Sequence, residues 1–302
     1  MIRKGNQKLT VTVGIPTCYG VKSLLATVKT IRQSEGVESY RLIVIADRTP
    51  IPDAIKQELV RMGVELHWNK VESSQMKKVK QMIITLNTDI FVHTQDDIIF
   101  HPDALSEILK TFEADSKVTM VGSRVLPLPS QGLFEASMAS MVRLVDRIGW
   151  KWNRGDNRLM ASGRCLSYRV SHLKKFDIPD KIINSDMFMY LINKKLGGKF
   201  YVGRDSVIYI RAPQSFRDQI GPSSRFQFQK EEIAEYLGVE GLEDYTIPAN
   251  ALVPALIKEF LTHPLAMILY AGAFVLTRMK RQRGKVVRDP LWKLDQSTKK
   301  VK

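Results

Sequence analysis

Apolar runs alternate with amphipathic stretches between residues 9 and 94. Buried strands are predicted by four apolar runs, at residues 9–15, 40–46, 64–68 and 89–94. Helices are predicted between them by the spacing of apolar residues, over residues 21–33, 52–62 and 75–86. Strands separated by helices of this length are typical of a mostly parallel sheet that carries helices on both faces. The pattern therefore predicts an α/β fold.

The second half of the chain alternates less regularly. Short strands are predicted over residues 118–121, 165–169, 199–202 and 206–210. Helices are predicted over residues 135–148, 185–196 and 225–237, with a polar, aromatic loop at residues 150–158. Because the composition shifts after Gly238, we expect one domain over residues 1–238 and a C-terminal part over residues 239–302. That part combines an apolar or amphipathic helix with a basic tail.

Polar residues follow several of the predicted strands. Thr17 follows the first strand, Asp47 follows the second, and Asp96 and Asp97 follow the fourth. Ligands of such sheets bind at the carboxyl ends of the strands, so we expect these residues to share a site. Two adjacent carboxylates repel each other and resist desolvation, which favours a divalent cation or hydrogen-bond donors beside them. The alternatives are a helix cap with a solvated neighbour for the pair, and a turn residue for Asp47.

The composition limits the partners that the protein can bind. The chain has 302 residues, 44% of them hydrophobic, and a formal net charge of +15. This charge implies an acidic partner, either nucleic acid, nucleotide phosphates or anionic lipid. Cys18 and Cys165 are far apart and lack metal-ligand spacing, which indicates neither a disulfide framework nor a zinc site and fits a reducing, cytosolic setting. The basic start of the chain has no signal-type apolar core, so we expect a cytoplasmic catalytic part.

Five short segments lie on predicted strands, at the turns that follow them or at the start of a predicted helix. They are Val-Thr-Val-Gly-Ile-Pro-Thr at residues 11–17, Ile-Val-Ile-Ala-Asp at 43–47, Gln-Asp-Asp at 95–97, Ser-Gly-Arg-Cys-Leu-Ser-Tyr-Arg at 162–169 and Asn-Ser-Asp at 184–186. In this order they resemble the motifs of the family 2 glycosyltransferases, which have the GT-A fold of the nucleotide-diphospho-sugar transferase superfamily. The resemblance covers residues 9–235. It implies a Rossmann-like, mostly parallel central sheet flanked by helices.

The resemblance also implies an activity and a role for each strand-end residue. The activity is inverting transfer of a sugar from a nucleotide-diphosphate donor to a hydroxyl of a saccharide or lipid-linked acceptor. Thr17 and Asp47 bind the donor, Asp47 through the base or ribose. Asp96 and Asp97 stand in the place of the DXD motif and hold Mg²⁺ or Mn²⁺ at the diphosphate, with Asp97 favoured by position. No nucleic acid is expected as a partner.

Asp186 takes the place of the catalytic base in the same resemblance. A carboxylate there accepts the acceptor proton as the acceptor oxygen attacks the sugar. The alternative is an acid favoured by the dipole in the first turn of a helix, and the two roles are compatible. The family usually has Glu before this Asp, whereas this chain has Ser185.

Three arginines are expected to bind the donor diphosphate. Many family members place a metal-binding His after the later strand, whereas residues 207–211 end in Arg211, which is expected to neutralise the diphosphate directly. Residues 214–219 and 223–225 partly resemble the family's mobile segment over the donor. Arg217 and Arg225 are therefore expected to bind the diphosphate through planar, bidentate contacts, and a solvated loop is the alternative.

The apolar stretch at residues 252–276 predicts membrane association. Its uninterrupted part, residues 264–277, is shorter than the roughly 20 residues that span a bilayer. The basic residues at 278–285 follow at once and favour the cytosolic, anionic-lipid side. We therefore expect a peripheral or monotopic anchor on the inner face of the membrane. The alternative is a helix packed on the protein itself or on a second subunit.

Two other functions compete with sugar transfer. A nucleotidyltransferase uses similar strand-end acids, but residues 17–22 are a poor version of its Gly-rich, basic loop. A non-catalytic, basic lipid- or nucleic-acid-binding protein explains the charge, although recognisable RNA-binding aromatic motifs are missing from the sequence.

Overall fold

The structure is a computed structural model. It describes residues 8–18, 22–216, 228–238, 245–279 and 299. The strands are β1 (Val11–Thr17), β2 (Arg41–Ala46), β3 (Val64–Trp68), β4 (Ile90–Thr94), β5 (Ile98–Phe100), β6 (Val118–Pro127), β7 (Cys165–Arg169) and β8 (Lys199–Ile210). The helices are α1 (Lys22–Arg32), α2 (Asp53–Arg61), α3 (Gln75–Ile84), α4 (Ala104–Ala114), α5 (Leu133–Lys151), α6 (Val170–Leu173), α7 (Ser185–Lys195), α8 (Gln229–Leu237), α9 (Ala249–Thr262) and α10 (Pro264–Met279).

The eight strands form one sheet in the order β3-β2-β1-β4-β7-β6-β8-β5. Strands β1 to β4 run parallel to one another, and β6 runs parallel to β8. β7 is antiparallel to both β4 and β6, and β5 is antiparallel to β8. The prediction of a mostly parallel sheet flanked by helices is confirmed.

Two apolar clusters cover the two faces of the sheet. Val92 of β4 belongs to the cluster that includes Leu24 and Val28 of α1. Phe91, the preceding residue, belongs to the cluster that includes Met82 of α3. Successive side chains of a strand point to opposite faces, so one apolar strand supplies both cores. Because both faces of the sheet are buried, the strands appear in the sequence as continuous apolar runs.

Most predicted elements lie close to their expected positions, but several elements of the structure differ from the prediction, and α4 was not among the predicted helices. The strands predicted at 199–202 and 206–210 form the single strand β8, with a register shift opposite Ser123 and Arg124. β6 continues to Pro127, and α5 extends through Trp150 into the predicted loop. β5 and α6, at three and four residues, were too short to show a hydrophobic period. The predicted start of the 225–237 helix lies outside the described residues.

α9 packs on α5 with an unusual distribution of polar and apolar residues. Its inward stripe consists of Ala251, Ala255 and the fully buried Glu259. Glu259 accepts hydrogen bonds from Arg143 Nε at 2.7 Å and Arg147 Nε at 3.0 Å, both on α5. The helix ends at Thr262, and Pro264 begins α10 because a proline lacks the N–H that would continue α9.

The outward surface of α9 and α10 is apolar. Large exposed side chains on these helices are Val253, Leu256, Ile257, Phe260, Leu261, Leu265, Ile268, Leu269, Phe274, Val275 and Leu276. We call these eleven residues the apolar face. A charged residue inside and apolar residues outside reverse the usual pattern of a helix on a globular protein. In the part of the chain that the structure describes, no helix is both long and apolar enough to cross a membrane.

Candidate functional site

The strand ends bring the predicted site residues to one edge of the sheet. β1 is paired in parallel with β2 and with β4, so Thr17, Asp47 and the acid pair Asp96 and Asp97 lie at neighbouring carboxyl ends. β7 runs the other way, and Thr94 pairs with Cys165 at the first position of β7. The residues just before β7 therefore reach the same edge.

Asp47 has one satisfied and one unsatisfied carboxylate oxygen. Its Oδ2 accepts hydrogen bonds from the Ser73 N–H at 2.8 Å and the Ser73 hydroxyl at 3.2 Å. The ammonium of Lys78 lies 2.7 Å from the same oxygen, and both side chains are fully buried. Asp47 Oδ1 is buried without a hydrogen-bond partner in the described structure. A buried acceptor without a partner indicates that a hydrogen-bond donor is missing. An N–H or a hydroxyl of a ligand would supply such a donor.

Lys78 is a site residue whose role the sequence did not show. Lys77, Lys78 and Lys80 recur on α3, and the spacing alone did not indicate which of them is buried. Lys78 points inward and its Nζ also contacts Cys18 Sγ at 3.3 Å. The charge of Lys78 is therefore balanced by Asp47. Through its contacts with Asp47 and Cys18, Lys78 links the loop after β2 to the loop after β1.

The acid pair is buried and in contact with three cationic or hydroxyl groups. Thr17 Oγ1 donates to Asp96 Oδ2 at 2.5 Å, which explains the strand-end Thr. Arg164 Nη1 lies 3.5 Å from Asp97 Oδ1 and donates to Gln95 Oε1 at 3.0 Å. Lys299 hydrogen-bonds Asp96 Oδ1 through its Nζ, which also lies 3.2 Å from Asp97 Oδ2.

The oxygens of the acid pair fit a hard divalent cation. Burial lowers the pKa of Lys299, but the charges of Asp96 and Asp97 outweigh burial, so its pKa is raised and the ammonium stays charged. The position between Asp96 and Asp97 is thus selective for a cation. Among the described residues, no group of three or more His, Cys, Asp or Glu side chains is arranged to hold a metal. Mg²⁺ commonly binds through one or two carboxylates together with substrate phosphates and water, so two acids suffice.

Asp186 lies in the first turn of α7, where it faces the turn before β7. Its Oδ1 accepts from the Met187 N–H at 2.9 Å and its Oδ2 from the Gly163 N–H at 3.4 Å. A Cβ at Gly163 would lie 3.3 Å from the Asp186 Cβ, which explains the glycine at this close approach. Desolvation raises the pKa of Asp186, opposed by the backbone donors and the nearby Arg164.

Arg211 follows β8 and is paired with another acid. Its Nη1 donates to Glu135 Oε1 at 2.7 Å, and both side chains are buried. Arg211 Nε has no hydrogen-bond partner among the residues that the structure describes. Ile210 pairs with Ile98, so the backbone of Arg211 lies beside that of Asp97. Direct binding of the diphosphate by Arg211 stays a prediction, and Arg217 and Arg225 lie outside the described residues.

The contacts at this edge form one continuous line, which we call the contact line. It begins with Asp47, passes through Lys78 to the loop of Cys18 and Thr17, and reaches Asp96. It then continues from Asp97 to Arg164, whose neighbour Gly163 contacts Asp186. Thr17, Asp47, Asp96, Asp97 and Asp186, which were predicted as site residues from the sequence, thus lie along one edge.

Comparisons with known proteins identify the fold. No protein-family profile matches the chain, and no curated protein matches it by sequence. Among solved structures, the mannosyltransferase PcManGT from Pyrobaculum calidifontis is similar, with a TM-score of 0.55 and 14% identity over 94% of this chain and 78% of that one. TarS residues 1–349 from S. aureus give a TM-score of 0.51 and 12% identity over 91% of this chain and 93% of that one.

A third similar structure is glucosyl-3-phosphoglycerate synthase from Mycobacterium tuberculosis, with a TM-score of 0.53 and 13% identity over 76% of this chain and 81% of that one. At these identities the likeness concerns the fold. The chain therefore has the GT-A fold.

Proposed function

We propose that this protein is a glycosyltransferase that moves a sugar from a nucleotide-diphosphate donor to a hydroxyl acceptor with inversion. The contact line from Asp47 to Asp186, at the carboxyl edge of a GT-A sheet, carries the proposal. PcManGT was solved with GDP-Man and Mn²⁺, and the M. tuberculosis synthase with Mn²⁺, UDP and glucosyl-3-phosphoglycerate. Both are transferases of hexoses, which favours a hexosyl donor here.

Asp47 is the proposed contact for the nucleoside. Its Oδ2 is held by Ser73 and Lys78, which orient the carboxylate and leave Oδ1 without a partner. A ribose hydroxyl or a base N–H supplies the donor that this oxygen lacks. Because the alternative is a buried unsatisfied carboxylate oxygen, nucleoside binding relieves a desolvation penalty of about 1–3 kcal/mol.

Asp96 and Asp97 are the proposed ligands of a divalent cation, Mg²⁺ or Mn²⁺. Bound there, the cation would offset the charge that builds on the diphosphate as it leaves. Thr17 fixes Asp96, and Arg164 lies close enough to Asp97 to hold its orientation. The two carboxylates therefore present oxygens in a fixed direction before the donor arrives, which reduces reorganisation on binding.

Asp186 is the proposed general base. Its backbone hydrogen bonds fix the carboxylate beside Gly163, and desolvation makes it a better proton acceptor than an ordinary aspartate. It takes the proton of the acceptor hydroxyl, whose oxygen then attacks the anomeric carbon from the face opposite the diphosphate. A single displacement of this kind inverts the anomeric configuration.

The apolar face of α9 and α10 supports membrane association on the cytosolic side and a lipid-linked acceptor. Ile257 and Leu261 are 55% and 74% exposed, and Ile268 is 59% exposed. Residues 278–285 after this face contain five lysines or arginines, which suit anionic head groups. Such a surface lies in the head-group region of one leaflet. An acceptor with a lipid anchor would be delivered at that same surface.

The proposal is tested by calorimetric binding of GDP and UDP to the purified protein, with and without Mn²⁺. We expect binding of one nucleotide that is at least about tenfold tighter with Mn²⁺, and loss of that gain in Asp97→Asn. Asp103→Asn is the matched control, because Asp103 is an exposed aspartate at the start of α4 and makes no contact with the acid pair. No nucleotide binding under any condition would contradict the proposal.

A further inference from the structure

Lys299 stands in the cation position of the acid pair. Its ammonium contacts both Asp96 and Asp97, so one side chain bridges the two carboxylates as a metal ion would. We infer that Lys299 is an internal counter-ion that competes with the divalent cation for this site. The inference rests on the proposed function, since it assigns a form of regulation to the same site.

The burial of this contact distinguishes it from surface ion pairs. The Lys299 side chain is 12% exposed, and its two partners are 6% and 4% exposed. The pair of Lys8 and Glu38, by contrast, is 73% and 77% exposed. Exposed pairs contribute little to stability, whereas a bridging ammonium between buried carboxylates offsets a large desolvation penalty. Removing the ammonium would uncover two buried carboxylates, so the contact opposes any cation that has to displace it.

The charges at the site make the two cations exclusive. Asp96 and Asp97 carry two negative charges, which Lys299 and the neighbouring Arg164 balance. A divalent cation that entered beside both would leave an excess of positive charge in a buried place. It would also need the carboxylate oxygens that Lys299 contacts. Metal binding thus requires Lys299 to leave, and the site changes from a self-neutralised state to a metal-bound state.

Calorimetric titration of Mn²⁺ into the full chain, without nucleotide, tests the competition. We expect Lys299→Ala to bind Mn²⁺ about threefold to thirtyfold more tightly than the wild type, since the metal no longer displaces a bound lysine. Lys300→Ala removes the same charge one residue further along and should leave the affinity unchanged. Equal affinity of the wild type and Lys299→Ala, or weaker binding by Lys299→Ala, would overturn the inference and leave the proposed function standing.

Amine acylation followed by mass spectrometry tests the contact without relying on metal affinity. Lys299 should react at least about threefold more slowly than Lys300 in metal-free protein, and Asp96→Asn combined with Asp97→Asn should remove the difference. Equal acylation rates of Lys299 and Lys300 in the wild type would overturn the contact of Lys299 with the acid pair. If no variant bound Mn²⁺ in the absence of nucleotide, the competition would be overturned, whereas the metal-assisted function is decided by the titrations with GDP and UDP.

Discussion

At the scale of single residues, Asp186 shows how burial and hydrogen bonding act on one carboxylate in opposite directions. Desolvation raises its pKa, and the N–H groups of Met187 and Gly163 limit the rise. In the proposed mechanism the base must be ionised to accept a proton, so the activity should fall as the pH falls through the pKa of Asp186. Because that pKa lies above the usual 3.8 of Asp, the loss begins at a higher pH than for an ordinary aspartate.

Asp186→Asn should therefore lower kcat by about 100-fold or more, since a positioned base commonly contributes 10²–10⁴-fold. Binding of the nucleotide should be retained, because Asp186 lies at the acceptor end of the contact line. Asp177→Asn, an exposed aspartate ahead of α7, is the control. Steady-state kinetics over a pH series, beside calorimetry of each variant, measure both effects. Full activity of Asp186→Asn would refute the assignment.

The unfolding free energy gives a second check on Asp186. In the folded protein the raised pKa disfavours the charged form, so ionisation lowers stability as the pH rises above the unfolded value. At neutral pH the Asn variant avoids that penalty. We expect Asp186→Asn to be about as stable as the wild type at neutral pH. A loss of activity in this variant would then reflect the missing base and not unfolding.

The acids of the site could be predicted from the sequence because they follow apolar strands directly. The strand pattern shows where each strand ends, and parallel pairing brings those ends together. The partners of these acids could not be predicted in the same way. Lys78 is one of several lysines on a helix, and Lys299 is far from Asp96 in the chain. Their contacts depend on tertiary packing, which leaves no local pattern.

At the scale of elements, β3 and β7 match their predicted ranges, and the apolar strands β2 and β4 begin one residue later than predicted. β8 was predicted as two strands because Gly203, Arg204 and Asp205 interrupt its apolar pattern. These residues form an irregularity in the pairing with β6, where Ser123 pairs with Gly203 and Arg124 with Val207. A bulge places extra residues in one strand without ending it, and the sequence pattern does not distinguish a bulge from a turn.

Glu259 is expected to fix α9 on α5. Glu259→Ala leaves Arg143 and Arg147 without their carboxylate and should lower the free energy of unfolding by about 3 kcal/mol. Urea denaturation followed by circular dichroism measures the change. Glu113→Ala, at an exposed position of α4, is the matched control and should change stability by less than about 0.5 kcal/mol. A loss of similar size in both variants would show that Glu259 has no special role.

At the scale of the whole molecule, the apolar face should direct the protein to anionic membranes. Replacing both Ile257 and Leu261 by Gln removes two large exposed apolar side chains that would enter the leaflet. We expect binding to phosphatidylserine-containing vesicles to fall by about tenfold or more. Vesicle flotation measures the binding, and the activity of the variant on a soluble acceptor should equal that of the wild type.

The control for this surface is a double replacement elsewhere. Val71 and Ile84 are 76% and 80% exposed, and changing both to Gln also replaces two exposed apolar side chains, outside α9 and α10. That variant should bind vesicles like the wild type. The opposite outcome is a wild-type protein that does not bind vesicles and forms a dimer in sedimentation experiments, with the dimer lost when Ile257 and Leu261 are replaced. That result would assign the apolar face to contact with a second copy of the chain.

The ion pairs of Glu259 also determine where the chain can be truncated without exposing buried groups. Arg143 and Arg147 lie within residues 1–238, whereas their carboxylate comes from α9. A fragment that stopped at Gly238 would uncover both guanidinium groups together with the apolar Leu144 and Ile148 that pack near them under α9. Shortening the protein to remove the apolar face would thus expose a second apolar surface on α5, and replacing outward residues one by one is the better route to a sample that does not aggregate.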